Sequence, residues 1–186
     1  MKTDTYVVYH SGFEEIKHPD VHYGRINADF GQGFYLTDDW DFSKRWTVPK
    51  MGKSPVINVY ELDLQELKVH RFDRDRNWFT YIFNNRRSMK DSIDADVIIG
   101  PIANDTLYDT MGIFTGGILS DDEAMELLMV GPNYRQIVLK TERAAEKLKW
   151  KGLNGILPEE AARNRDIVKS EEEKYLEEIG RIMERF

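Results

Sequence analysis

The absence of cysteine narrows the chemistry open to this chain at once. Thiolate nucleophiles, disulfides and Cys-based zinc sites are excluded. Of the four histidines, His10 is the best placed for chemistry. Tyr6-Val7-Val8-Tyr9 is a β-rich run stopped by His10-Ser11-Gly12, so His10 ends a strand. There an imidazole can meet a ligand as readily as it can satisfy a structural hydrogen bond. His18 and His22 are four residues apart, a metal-binding spacing on a helix, but Pro19 interrupts any helix between them. No metal is expected.

A second candidate is the stretch Asp29-Phe30-Gly31-Gln32-Gly33-Phe34-Tyr35-Leu36-Thr37. Its glycines admit backbone angles closed to other residues and let a ligand approach the main chain. They lead into a short apolar strand from Gly33 to Leu36, which fixes the position of an aromatic side chain. A tight turn into an ordinary strand explains the same residues. Asp29-Phe30-Gly31 matches the magnesium-binding triplet of protein kinases, but the chain lacks their Gly-rich and His-Arg-Asp loops. With thirty-three acidic residues, chance carboxylate pairs are certain, and no motif sets one. Arg25, Arg86 and Arg87 can hold phosphate or serve as solvated surface charges.

These residues need a frame, and the composition supplies one. The chain has 186 residues, 41% of them hydrophobic, 32% charged and 12% aromatic, as in a globular domain with a real core. A net charge of -7 argues against unspecific nucleic-acid binding while leaving room for a local basic groove. The first residues carry no signal-peptide pattern, and no apolar stretch approaches the ~20 residues that span a bilayer. The expectation is a cytoplasmic protein with no membrane contact.

Strands are predicted at 6–9, 33–36, 55–62, 67–72, 95–99 and 134–139, with 13–27 as a long loop. Helices are predicted from a cap at Asp38 or Asp39 through Trp46, over 76–87, after Asn104 or Asp105, after Ser120, and from Thr141 to about Trp150. Gly152 to Pro158 reads as a break. An amphipathic helix then spans 159–186, with apolar residues at 175, 176, 179, 182, 183 and 186 on one side. The class is α+β, divided into a domain at 1–150 and a helical extension at 151–186.

Several segments in this order carry a family resemblance. They are Tyr9-His10-Ser11-Gly12, Arg25, the Asp29–Thr37 stretch, Val59-Tyr60-Glu61-Leu62-Asp63, Ile99-Gly100-Pro101-Ile102-Ala103-Asn104-Asp105 and Gln136-Ile137-Val138-Leu139-Lys140-Thr141-Glu142. Over roughly Tyr6 to Leu148 the chain resembles a bacterial family of unknown function grouped with the ADP-ribosyltransferase superfamily. That resemblance implies a split β-sheet core with peripheral helices, and NAD as substrate between two small sheets. It implies a catalytic set of His10, Tyr35 and Gln136, with Gln standing where the His-Tyr-Glu branch has Glu. Ser11, Gly12, Arg25, Phe30, Gly31, Gly33, Phe34 and Asn104 are then the expected NAD-binding residues.

The chemistry implied is cleavage of the nicotinamide–ribose bond through an oxocarbenium-like state. His10 would hold a ribose hydroxyl, Tyr35 would stack on nicotinamide, and Arg25 would pair with pyrophosphate. Gln136 offers a carbonyl oxygen but no charge, so another acid such as Glu142 is a candidate for stabilising the developing cation. The acceptor of ADP-ribose is a protein, a nucleic acid or a nucleotide, and the resemblance adds a toxin or effector role with a neutralising antitoxin protein. Two alternatives stand beside this reading. One is an NAD-binding module without turnover, suggested by Gln136. The other is an interaction protein working through the C-terminal helix.

Overall fold

The computed structural model describes residues 5–47, 53–103, 122–123, 126, 129–131 and 133–185. Among them, seven strands form two sheets. In the first, β1 (Thr5–Gly12) and β7 (Leu148–Gly155) flank β3 (Val56–Asp63), all antiparallel. In the second the order is β2 (Phe34–Leu36), β6 (Arg135–Leu139), β5 (Val97–Pro101) and β4 (Val69–Arg71), with β4 and β5 parallel. The main chains of Tyr9 and Thr37 bridge the two sheets through reciprocal bonds of 2.8 and 3.0 Å. The fold is α+β.

Period-two alternation decides what each sheet buries. Val8, Phe34, Leu36, Tyr60, Leu62, Val97, Ile99, Ile137 and Leu139 fill the space between the sheets. The opposite face of the second sheet, carrying Ile98 and Val138, packs on Phe30, Trp78, Tyr81 and Ile82. Trp78, Tyr81 and Ile82 come from α2 (Arg76–Arg86), whose N-cap Asp75 accepts from Trp78 N at 2.9 Å. Asp39 caps α1 (Trp40–Arg45) in the same way, and Thr141 caps α3 (Glu142–Glu146).

The chain departs from its predicted course after α3. The helix expected to reach Trp150 ends at Glu146, and the segment expected to break at Gly152 continues as β7 to Gly155. Lys147 closes the helix, and Leu148 enters the inter-sheet core opposite Leu62. The free edge of β3 offers this segment a full ladder of hydrogen bonds, which outweighs its weak strand propensity. β7 thereby carries the first sheet across residue 150.

α4 (Pro158–Met183) follows, with Pro158 in the first turn, where its missing N–H costs nothing. Tyr175 and Ile182 bury against Val130, with Ile179 and Met183 beside them, while Ile167 and Leu176 stay exposed. No described helix is long and apolar enough to cross a membrane. The helices expected after Asn104 and Ser120 fall largely outside the described residues.

The 13–27 loop, which carries Arg25, is tied down by two buried residues of β3. Asn58 accepts from Ile16 N and donates to Glu14 O, both at 2.9 Å, and Tyr60 donates its hydroxyl to Ile16 O at 2.6 Å. Asn58 is fully buried, so its loss strands main-chain groups. Asn58→Leu should lower unfolding free energy by about 2–3 kcal/mol in urea denaturation. A change below ~0.5 kcal/mol would show that the loop is held elsewhere.

Candidate functional site

The turn at Asp29–Gly31 is built from three directions. Gly31 N donates to Ala28 O at 2.8 Å, and Gly31 has φ 71°, a left-handed angle that glycine adopts without strain. Tyr35 folds its hydroxyl back under this turn, donating to Gly31 O at 2.7 Å and accepting from Phe30 N at 2.9 Å. Burial pushes the Tyr35 phenol well above its ordinary pKa, so it remains neutral and keeps both bonds. The Lys140 ammonium donates to Phe30 O and pairs with Asp91 at 3.0 Å. A β-carbon on Gly31 would lie 2.9 Å from that ammonium, so a side chain here would push on the Lys140 contact as well as strain the backbone angle.

The last turn of α2 fixes the other end. Arg86 donates Nε to the Asp29 carboxylate at 2.6 Å, and Asn85 donates to Asp29 O at 3.1 Å. Both side chains of the ion pair are largely shielded from water, at 4% exposure for Arg86 and 15% for Asp29. A little further on, Gly33 lies so close to β6 that a β-carbon would sit 2.6 Å from Leu139 O. This contact lets β2 reach β6, where Tyr35 pairs with Val138. Gln136 lies two residues along on the same strand face as Val138, and therefore on the Tyr35 face.

That face opens into a cleft of about 710 Å³. Arg25, Asp29, Tyr35, Arg86 and Gln136 line it, together with Arg45, Trp46, Tyr134, Glu171, Glu172 and Tyr175. Gln136 is 3% exposed and donates its amide to Pro101 O at 3.3 Å. Arg45 ties α1 to α4 and to the residue before β6, donating to the Tyr134 hydroxyl and to Glu171 while lying 4.7 Å over the Tyr134 ring. Four arginines and three carboxylates line the cleft, a cationic balance in a protein of charge -7.

Of the expected site residues, Arg25, Tyr35 and Gln136 meet in this cleft, while His10 does not line it. His10 shares the inter-sheet face with Phe34, on which its ring stacks at 4.4 Å. It donates Nδ1–H to Tyr35 O at 2.8 Å, touching the site through the main chain. Burial favours the neutral ring and holds the imidazole below its usual pKa, against the smaller opposing effect of this bond. The ribose contact expected of His10 is therefore not offered from inside this cleft.

Phe30 is fully buried among Trp78, Tyr81 and Ile98, and Phe34 is buried between the sheets. Ser11 donates its hydroxyl to Ser43 O, Gly12 follows His10 on β1, and Gly31 and Gly33 serve the turn. Asn104 lies outside the described residues. Glu142 opens α3 with an 84% exposed side chain, 3.8 Å from His22, and does not line the cleft. Among the described residues, no group of three or more His, Asp or Glu could hold a metal ion.

Comparison with known proteins places residues 6–150 in a family described as a protein of unknown function, DUF3990. The chain belongs to that family. No curated protein matches it. The matched segment supplies both sheets up to Trp150, the Asp29–Gly31 turn and Gln136, whereas α4, a wall of the cleft, lies beyond it. Neither the Arg86–Asp29 pair nor the α4 wall was evident from sequence. The pair joins positions 57 residues apart, and α4 reads only as an amphipathic helix.

Asp91 gives the turn a pH dependence of definite sign. Burial raises its pKa, but bonds from Ile93 N, the Tyr81 hydroxyl and Lys140 outweigh this and leave it lowered. A carboxylate depressed in the fold contributes stability above its unfolded value of about 4, and loses it as pH falls below that. Asp91→Asn should melt several degrees lower at pH 7, by about 2–4 °C per kcal/mol lost, with the gap to wild type closing below about pH 4. A gap that is constant from pH 7 to 3 would remove the ion pair from the account.

Proposed function

We propose that the cleft binds NAD and that the protein transfers ADP-ribose from it to an acceptor. The observation that carries this reading is the convergence of Tyr35 and Gln136, from neighbouring strands, on one arginine-lined cleft of about 710 Å³. That volume falls in the range of small-molecule sites. Two small sheets joined at Tyr9 and Thr37 are consistent with the split core of the ADP-ribosyltransferase superfamily.

Each residue then has a role suited to its surroundings. Arg25 pairs with the pyrophosphate, for which a guanidinium fork is well shaped. The Tyr35 hydroxyl is committed to the glycine turn, so only the ring face is offered to the nicotinamide. His10 is a positioning residue that holds the Tyr35 carbonyl and thus β2. Gln136 takes a ribose hydroxyl through its amide oxygen, since the amide nitrogen is used on Pro101. A second reading, binding without turnover, is favoured by the neutral Gln136 where a carboxylate would stabilise the oxocarbenium charge.

Incubation with NAD labelled in the nicotinamide ring separates the two. Transfer predicts released nicotinamide, with Arg25→Ala weakening NAD binding by roughly tenfold or more, the value of one charge-assisted hydrogen bond. Saturable binding with no nicotinamide released would support the second reading. Absence of both would remove NAD from the account.

A further inference from the structure

The cleft contains a wall that the family segment does not supply. α4 contributes Glu171, Glu172 and Tyr175 to it, from beyond residue 150. Of the carboxylates in the cleft, Asp29 is engaged by Arg86 and Glu171 by Arg45. Glu172 forms no ion pair or hydrogen bond among the described residues. Tyr175 stands three residues on, on the same helix face. It is only 3% exposed, and its hydroxyl is buried with no hydrogen-bond partner. A buried hydroxyl left unpaired is unfavourable, and this one lies at the wall of a ligand-sized cleft. The Tyr175 hydroxyl thus awaits a partner that the free protein does not contain, and the exposed, unpaired Glu172 carboxylate stands one helical turn away on the cleft lining.

We propose, resting on the NAD reading above, that this face of α4 is the acceptor half of the site, with Glu172 the base that activates a hydroxyl acceptor. The bond between ribose C1′ and the nicotinamide ring nitrogen breaks, and its electron pair leaves with nicotinamide, which becomes neutral. The acceptor oxygen bonds to C1′ and its proton passes to the Glu172 carboxylate. Tyr175 hydrogen-bonds the acceptor oxygen and directs it. The carboxylate missing at Gln136 is in this way provided from a different element.

The test measures nicotinamide release by the full chain with water as acceptor, then with azide, a nucleophile that has no proton to lose. Glu172→Gln should bind NAD within about twofold of wild type, release nicotinamide into water roughly a hundredfold more slowly, and recover with azide. Tyr175→Phe should melt no lower than wild type and turn over about tenfold more slowly. Wild-type rates in Glu172→Gln alongside a slow Tyr35→Ala would overturn this inference and leave the NAD reading standing. So would a slow Glu172→Gln that azide fails to rescue. NAD binding with no turnover in water or azide by the unaltered chain would overturn it as well, while a chain that neither binds nor cleaves NAD overturns both.

Discussion

The geometry of the cleft depends on how the Asp29–Gly31 turn is held. A left-handed glycine beside a half-buried tyrosine has no regular structure to fix it, so other parts of the chain must. Lys140 does this from the end of β6, joining Phe30 O to the Asp91 carboxylate that Tyr81 also donates to. Arg86 and Asn85 do it from α2. The turn, the second sheet and α2 are therefore tied together, and Tyr35 with them. A preorganised wall of this kind lowers the ordering cost of binding a flexible ligand.

The arrangement divides the labour between the two faces of β2. Phe34 faces the space between the sheets, where His10 stacks on it, and Tyr35 faces the cleft. A three-residue strand of this kind is short, yet it is held by β6 on one side, by the Tyr9–Thr37 bridge at its end and by the His10 bond to its middle carbonyl. Thr37 adds a further tie through its hydroxyl to Arg135 O at 2.9 Å. These bonds set the register that carries Gln136 to the Tyr35 side.

Much of this frame was legible in the chain. Val56–Asp63 alternates as a strand should, Asp39 and Thr141 are effective caps, and the Asp29–Thr37 stretch advertises a tight turn. Local chemistry determines such features, so local sequence reveals them. β7 was hidden because Lys149, Lys151, Gly152 and Asn154 carry little strand signal, and its strand form comes from the edge of β3. His10 looked like a cleft residue because its position at a strand end was visible while the facing of its side chain was not. The arginines and carboxylates of α1, α2 and α4 come together only through tertiary packing, and no spacing along the chain encodes that.

The central claim is that the cleft between Tyr35, Arg25 and Gln136 is where NAD lies. A crystal structure of the protein soaked with NAD tests it most directly. The account predicts the nicotinamide ring on the face of Tyr35, its ribose within hydrogen-bond reach of Gln136, and the pyrophosphate at Arg25. Density for NAD away from these three residues, for instance on the His10 side of β2, would contradict it.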